Sequence, residues 1–234
     1  MEHPFTWHSF LLSFFHELDF LPEPTFMTLV VVLIVLALAF GFRRAVLKAV
    51  DPAVPEDRLG SRNIMEMAVE MVVSLSDSII GKTGRKYVPL FGSLFIFILT
   101  SNLLGLVPGF TPPTSSFSSN LALGLVVFVA YNYWGVRANG VHYFKQFMGP
   151  VIFLAPLFVL IEVFSHAFRP LSLSIRLFGN MFGDHLVLEI FTGLTKFVIP
   201  VAFYILGTLV SIIQAAVFTI LSIIYVAMAI SHEH

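Results

Sequence analysis

FVIPVAFYILGTLVSIIQAAVFTILSIIYVAMAI, residues 197–230, runs for more than thirty residues without one acidic or basic side chain. About twenty apolar residues suffice to cross a bilayer as a helix. In lipid, only helices and closed barrels satisfy every backbone N–H and C=O internally. A barrel reads as ten-residue segments of alternating polarity, whereas this run is continuously apolar. The chain is therefore expected to be all-α, a polytopic membrane protein.

The rest of the sequence agrees with that reading. Hydrophobic residues make up 57% of the 234 and charged residues only 12%, against roughly 25% charged in a soluble domain. The mean hydropathy is +0.91. The absence of cysteine excludes a disulfide scaffold and a Cys-ligated zinc or iron–sulfur centre. The net charge of −1 carries no information about partners, but its distribution does. Residues 1–42 hold no Lys or Arg, while residues 43–87 hold Arg43, Arg44, Lys48, Arg58, Arg62, Lys82, Arg85 and Lys86. The positive-inside rule then places that segment in the cytoplasm and the N-terminus outside. The basic flank follows the first apolar run rather than preceding it, which favours a retained span over a cleaved signal peptide.

The chain reads as a single membrane domain over residues 1–234. Residues 5–20 form an interfacial amphipathic segment. The first span covers 26–42, and a Pro-rich charged loop follows over 51–62. Residues 63–80, with Glu66, Glu70 and Asp77 among apolar residues, are an amphipathic helix on the membrane surface. Spans follow at 88–107, containing Asn102, and at 121–136, joined by an uncharged, turn-rich outer loop. Arg137 and Lys145 flank a short inner loop. Residues 148–194 and 197–230 are each far longer than one span needs. Either each is one long, tilted helix, or 148–194 is two short spans broken at Pro170. Five crossings put the C-terminus inside, and six put it outside.

Residues 162–189 carry Glu162, His166, Arg169, Arg176, Asn180, Asp184, His185 and Glu189 in apolar sequence. Placing Arg or Asp at mid-bilayer costs ~2.5–3.5 kcal/mol on insertion scales, so such residues mark an ion path or a buried site. Glu162, Arg169 and Arg176 recur every seven residues and share a helical stripe. Asn180 lies one turn beyond Arg176, and His185 about half a turn round. In the last helix, Gly207, Ser211, Gln214, Ser222 and Tyr225 form a small and polar stripe. Such a stripe serves helix packing as readily as a water-lined wall. Gln214, Asn102 and Asn180 equally suit interhelical hydrogen bonding. Glu189 and Lys196 suit a membrane interface, and Arg169 can snorkel or pair with Glu162. Arg176 has no such easy alternative, since it lies seven residues from either Arg169 or Gly183.

SIRLFGNM, residues 174–181, resembles the signature of subunit a of the rotary ATP synthase membrane sector. NLLGLVP, residues 102–108, resembles the Asn-Leu…Pro element of an earlier span in that family. QAAVFT, residues 214–219, with Tyr225, resembles its last helix, and the terminal SHEH is similar to many bacterial members. The resemblance implies a stator of the F-type complex in the bacterial inner membrane, with the C-terminus cytoplasmic. Its partners would be a ring of subunit c, the peripheral-stalk subunit b, the rest of the complex and membrane lipid, with no nucleic acid. No cofactor or metal is implied, and the chain itself would not be catalytic. Two half-channels would carry protons to and from the ring carboxylates, lined by long helices over 148–194 and 197–230. Arg176 would be the essential arginine, with Leu173 and Gly183 also facing the ring. Glu162, His185, Asn180 and Gln214 match polar positions of the family's path. Asp184 and Tyr225 are added from the stripes. Two departures stand out. Gly207 occupies a position that is His in some members, and Gly105 one that is Asp.

Three other classes fit less well. A haem protein needs facing histidines, for which only His166 and His185 are placed. A hydrolase needs a nucleophile beside its base, but Ser165 and His166 are adjacent and point apart on a helix. A secondary transporter typically repeats its halves, and no repeat is visible.

Overall fold

The computed structural model describes Trp7 and residues 22–48, 60–140, 143, 155–194 and 198–231. The remainder of the 5–20 segment, most of the 51–62 loop, Lys145, Lys196 and residues 232–234 lie outside the described residues, as does the side chain of Glu189. All regular structure among the described residues is helical. The elements are α1 (Glu23–Lys48), α2 (Ser61–Ile79), a short 3-10 helix (Lys82–Tyr87), α3 (Val88–Leu104), a 3-10 turn (Pro113–Ser115), α4 (Phe117–Asn139), α5 (Ala155–Leu194) and α6 (Val198–Ile230). Among the described residues, five helical segments are long and apolar enough to span a membrane, and α2 is not one of them.

Periodicity explains how the helices meet. Phe91, Leu94, Phe95 and Ile98 repeat at helical spacing along α3 and are buried. Leu173, Leu177 and Met181 do the same on α5, as do Phe218, Ser222 and Val226 on α6. These stripes close one core, to which α4 adds Val127 and Tyr131. Helices α3, α4 and α5 all pack on α6, and α4 also packs along α5. By contrast, α1 presents Leu29, Leu33, Leu36 and Phe40 outward. That is the expected face of a helix solvated by lipid, since outside water an apolar exterior costs nothing.

The span at 121–136 is extended at both ends, to Phe117–Asn139. Its serine-rich start reads as a loop in sequence. It becomes helix because the buried Asn120 Nδ2 donates to the Thr114 carbonyl at 2.7 Å and anchors the first turn. The helix stops at Gly140, whose φ of 55° suits glycine. At the other end of the 88–107 span, α3 stops at Leu104. On the surface helix α2, Asp77 accepts from Arg85 Nε and Nη2, the latter at 2.6 Å, tying α2 to the 3-10 helix that leads into α3. This bonding holds the Asp77 carboxyl below its ordinary pKa. The small stabilisation it gives is present at neutral pH and lost as pH falls through that lowered value.

Between the two readings of residues 148–194, the structure decides for one helix. α5 runs unbroken through Pro170 for 40 residues. At 1.5 Å per residue that is about 60 Å, twice the ~30 Å hydrocarbon thickness. Helix α5 must therefore tilt or project beyond the bilayer. Proline removes an intrahelical hydrogen bond. One turn on, Ser174 Oγ donates to the Pro170 carbonyl at 2.6 Å and lies 3.0 Å from the Asn120 carbonyl of α4, so the helix is in close contact with α4 just past the proline.

That crossing point is tight. A Cβ on Gly124 of α4 would fall 2.6 Å from Ser174 Oγ and 2.7 Å from the Pro170 carbonyl oxygen. Gly124→Ala is expected to cost about 1–3 kcal/mol by overpacking. It should lower the thermal unfolding midpoint of the purified protein. Gly92→Ala, where a Cβ meets nothing within 4 Å, should leave it unchanged or raise it.

Candidate functional site

Helix α5 carries ionisable groups at three levels. Near its start, Glu162, His166 and Arg169 lie on one stripe. Glu162 Oε1 is 3.2 Å from His166 Nε2 and 3.9 Å from Arg169 Nη2. Tyr131 of α4 reaches the same imidazole, its hydroxyl 3.1 Å from His166 Nδ1. The Arg169 guanidinium stands 5.7 Å from the Tyr131 ring centroid and 5.6 Å from that of Tyr225 on α6, within cation–π range. Three helices thus build one polar cluster.

A second cluster forms beyond the middle of the helix. Asp184 and His185 line a cleft with Asn102, Gly105, Leu106 and Pro112. The cleft depends on Gly207 of α6. A Cβ there would fall 2.7 Å from Asp184 Oδ2 and 2.8 Å from Leu106 Cδ2. Asp184 thus occupies space that any larger residue at position 207 would claim. From Glu162 to Asp184 is 22 residues, about 33 Å of helix, so the two clusters are separated by roughly a hydrocarbon thickness.

Arg176 stands between them and belongs to neither. Its side chain is exposed, and among the described residues it makes no ion pair or hydrogen bond. The next turns of the same face carry Gly179 and Gly183, and a Cβ on either would meet nothing within 4 Å. The outer wall at this level is therefore low, with a fixed cation on it. One turn on, Asn180 Nδ2 donates to Gln214 Oε1 at 2.5 Å, linking α5 to α6.

Behind this face the interior is polar. Thr114 Oγ1 donates to Asn102 Oδ1 at 2.8 Å. Asn102 Nδ2, Ser101 Oγ, Ser211 Oγ and Gln214 Nε2 are buried without a hydrogen-bond partner among the described residues. Buried polar atoms are rarely left unsatisfied, and water is their usual partner. Ser101 and Asn102 belong to α3, Ser211 and Gln214 to α6, so these groups follow the seam between the two helices.

One sequence expectation is corrected. Leu173 does not face outward. It is 2% exposed and packs in the core, so no separate subunit can reach it. At 100° per residue Leu173 and Arg176 diverge enough that one turns in while the other turns out. Arg176 and Gly179 are exposed, and Gly183 is partly exposed. Arg176 also parts from the Glu162–Arg169 stripe, which drifts ~20° per seven residues. Tyr225 lies with the first cluster, away from Gln214 and Asp184.

Sequence reading missed the contribution of α4, since Asn120 and Tyr131 are uncharged and drew no attention. A polar count along α4 would have found them. The paired-histidine haem reading fails on distance. His166 and His185 are 19 residues apart on one helix, about 28 Å. Among the described residues, no three His, Asp or Glu side chains converge as metal ligands do.

Fold and site together define a polytopic helical membrane protein with ionisable groups held inside its spans. Residues 25–227 match the family model described as ATP synthase A chain. ATP synthase subunit a of Bdellovibrio bacteriovorus is 48% identical over 77% of this chain and 79% of its own length. That of Citrifermentans bemidjiense is 40% identical over the full length of both, and ATP synthase subunit a 3 of Pelobacter propionicus is 39% identical, also over both full lengths. The chain belongs to the ATP synthase subunit a family, a subunit of the membrane sector of that complex.

The Asn180–Gln214 bond supports a stability prediction. Asn180→Ala strands the Gln214 carbonyl and should cost about 1–3 kcal/mol. The double variant Asn180→Ala/Gln214→Leu should recover part of that loss. Thermal unfolding of the detergent-purified complex reads both.

Proposed function

We propose that this chain is the stator of a rotary, proton-driven motor, with two half-channels that meet at Arg176 on the face of α5. The observation that carries the reading is the unpaired, outward-facing Arg176 beside Gly179 and Gly183, set between two inward polar clusters. A charge exposed on an apolar face calls for a mobile counter-charge at the same depth. A ring of subunit c, with one carboxylate per hairpin, supplies it. Subunit b and the rest of the F-type complex would hold the stator still.

Charge and geometry support the following roles. An arginine stays protonated, so Arg176 neither donates nor relays protons. Beside it a ring carboxylate is stabilised in its ionised form and releases its proton. The fixed charge also opposes a direct leak between the half-channels, so protons cross only as the ring turns.

Glu162 and His166, with Tyr225 at the edge of their cluster, form the inner access route. Asp184 and His185 open the outer one. From there the seam of Asn102, Ser101, Ser211 and Gln214 leads inward, and Asn180 closes it near Arg176. An imidazole can both take up and give up a proton, which suits it to relay. The route assignment follows the distribution of Lys and Arg, with the N-terminus outside and the C-terminus in the cytoplasm. The chain supplies transport and no ATP chemistry, and the proton is the favoured ion.

ATP-driven proton pumping in inverted membrane vesicles tests the central role. Arg176→Ala and Arg176→Lys should each abolish pumping while the complex assembles and hydrolyses ATP. Lysine keeps the charge but loses the planar multi-donor head. Pumping near the wild-type rate in Arg176→Ala would refute the role. A second outcome follows from the cleft. Gly207→Ala should displace the Asp184 carboxylate and reduce pumping about a hundredfold, the lower end of the range for a lost proton-transfer group. Asp184→Asn should match it. An unaffected Gly207→Ala would remove Asp184 from the route.

A further inference from the structure

A feature made of other residues than the proton route lies on the exposed face of α4. The outer face of α4 forms an open apolar groove lined by Leu125, Val126, Val129, Ala130, Tyr133 and Trp134. Leu125, Val126 and Val129 are among its exposed large side chains. At the C-terminal end of α4 the groove meets a second pocket, lined by Lys86, Tyr87, Trp134, Arg137 and Ala138. Trp134 lines both, so the two are continuous.

The second pocket differs in chemistry from the first. Lys86 and Arg137 are exposed, and neither pairs with a carboxylate among the described residues. Their neighbours orient them. Lys86 Nζ lies 4.8 Å from the Tyr87 ring centroid, and Arg137 Nη1 is 3.3 Å from the Tyr133 hydroxyl. Tyr87 is buried and packs against Trp134 with centroids 4.4 Å apart. Nearby Arg85, by contrast, is already bound to Asp77. Two available cations therefore stand on an aromatic floor at the head of a long apolar slot. Tyr and Trp rings of this kind sit at the headgroup level of a bilayer.

We propose that this composite site binds one anionic phospholipid. Its phosphate would lie between Lys86 and Arg137, its glycerol region against Trp134, and one acyl chain along Leu125, Val126 and Val129. Charge complementarity selects the occupant. A neutral apolar protein helix fits the groove but leaves the two cations unanswered, whereas a headgroup phosphate answers both. Basic pockets at the ends of membrane helices recognise anionic lipid by this means. The inference rests on membrane embedding alone and stands or falls independently of the proton route.

Photolabelling of the intact complex in bilayers tests it. Phosphatidylglycerol and phosphatidylcholine with the same diazirine-bearing acyl chain are compared, and labelled peptides of α4 are quantified against peptides of α1. Phosphatidylglycerol should label residues 122–134 at least about fivefold more than phosphatidylcholine, with no such preference on α1. Lys86→Gln/Arg137→Gln should abolish the preference. Equal labelling by the two lipids in the wild type would reduce the groove to ordinary lipid annulus and overturn the proposal. So would a preference that survives the double substitution. Failure of either lipid to label α4, including by reason of a membrane-spanning subunit crosslinked there, would overturn it as well.

Discussion

A guanidinium cannot discard its charge, and Arg176 holds one on an apolar helix face. Insertion scales set the cost of such a placement at ~2.5–3.5 kcal/mol. Little in the fold around it works to relieve that cost. The inward neighbours Leu173 and Leu177 are buried and apolar, and the outward neighbours Gly179 and Gly183 leave space. The nearby amides of Asn180 and Gln214 bond each other. The other charged groups of α5 with described side chains are arranged differently: Glu162, His166 and Arg169 gather against Tyr131 and Tyr225, and Asp184 and His185 line the cleft with Asn102. In the proposed reading, this exposed arginine is where a partner outside the chain meets it.

The fold was legible because hydrocarbon admits few solutions. Long, strongly apolar runs must be helices, and among the described residues five helices are long and apolar enough to span. The unbroken course of α5 was harder to read. Pro170 is a helix breaker in isolation, yet the helix runs through it, with Ser174 and Gly124 in close contact one turn on. The ends of α4 were missed for a related reason. Asn120 anchors its first turn through a bond to Thr114 that no local propensity encodes.

The site was legible where it consists of charge. Arg176, Glu162, Asp184 and His185 stand out in apolar sequence because each is expensive there. Facing direction was less legible, and Leu173 shows why. A residue three positions from Arg176 lies on the same general side, but the boundary between core and exterior passes between them. Tertiary pairs such as Tyr131 with His166 join residues 35 apart, and helical periodicity cannot supply them. The departure at Gly207 gains a physical sense from the structure. The space freed by glycine on α6 is taken by the Asp184 carboxylate of α5. An acid and an imidazole, Asp184 and His185, therefore meet in one cleft although both come from one helix.

The outward face of α5 can be tested directly by cysteine crosslinking in native membranes, since the wild-type chain contains no cysteine. Ile175 and Gly179 are exposed beside Arg176, whereas Leu177 is buried. Single cysteines at Ile175 and Gly179 should each crosslink to a small, very hydrophobic ring subunit, and the adduct should block ATP-driven proton pumping. A cysteine at Leu177 should give none. An intact complex with no ring adduct from either outward position, or with an adduct from Leu177 alone, would contradict the placement of Arg176 against a rotating ring.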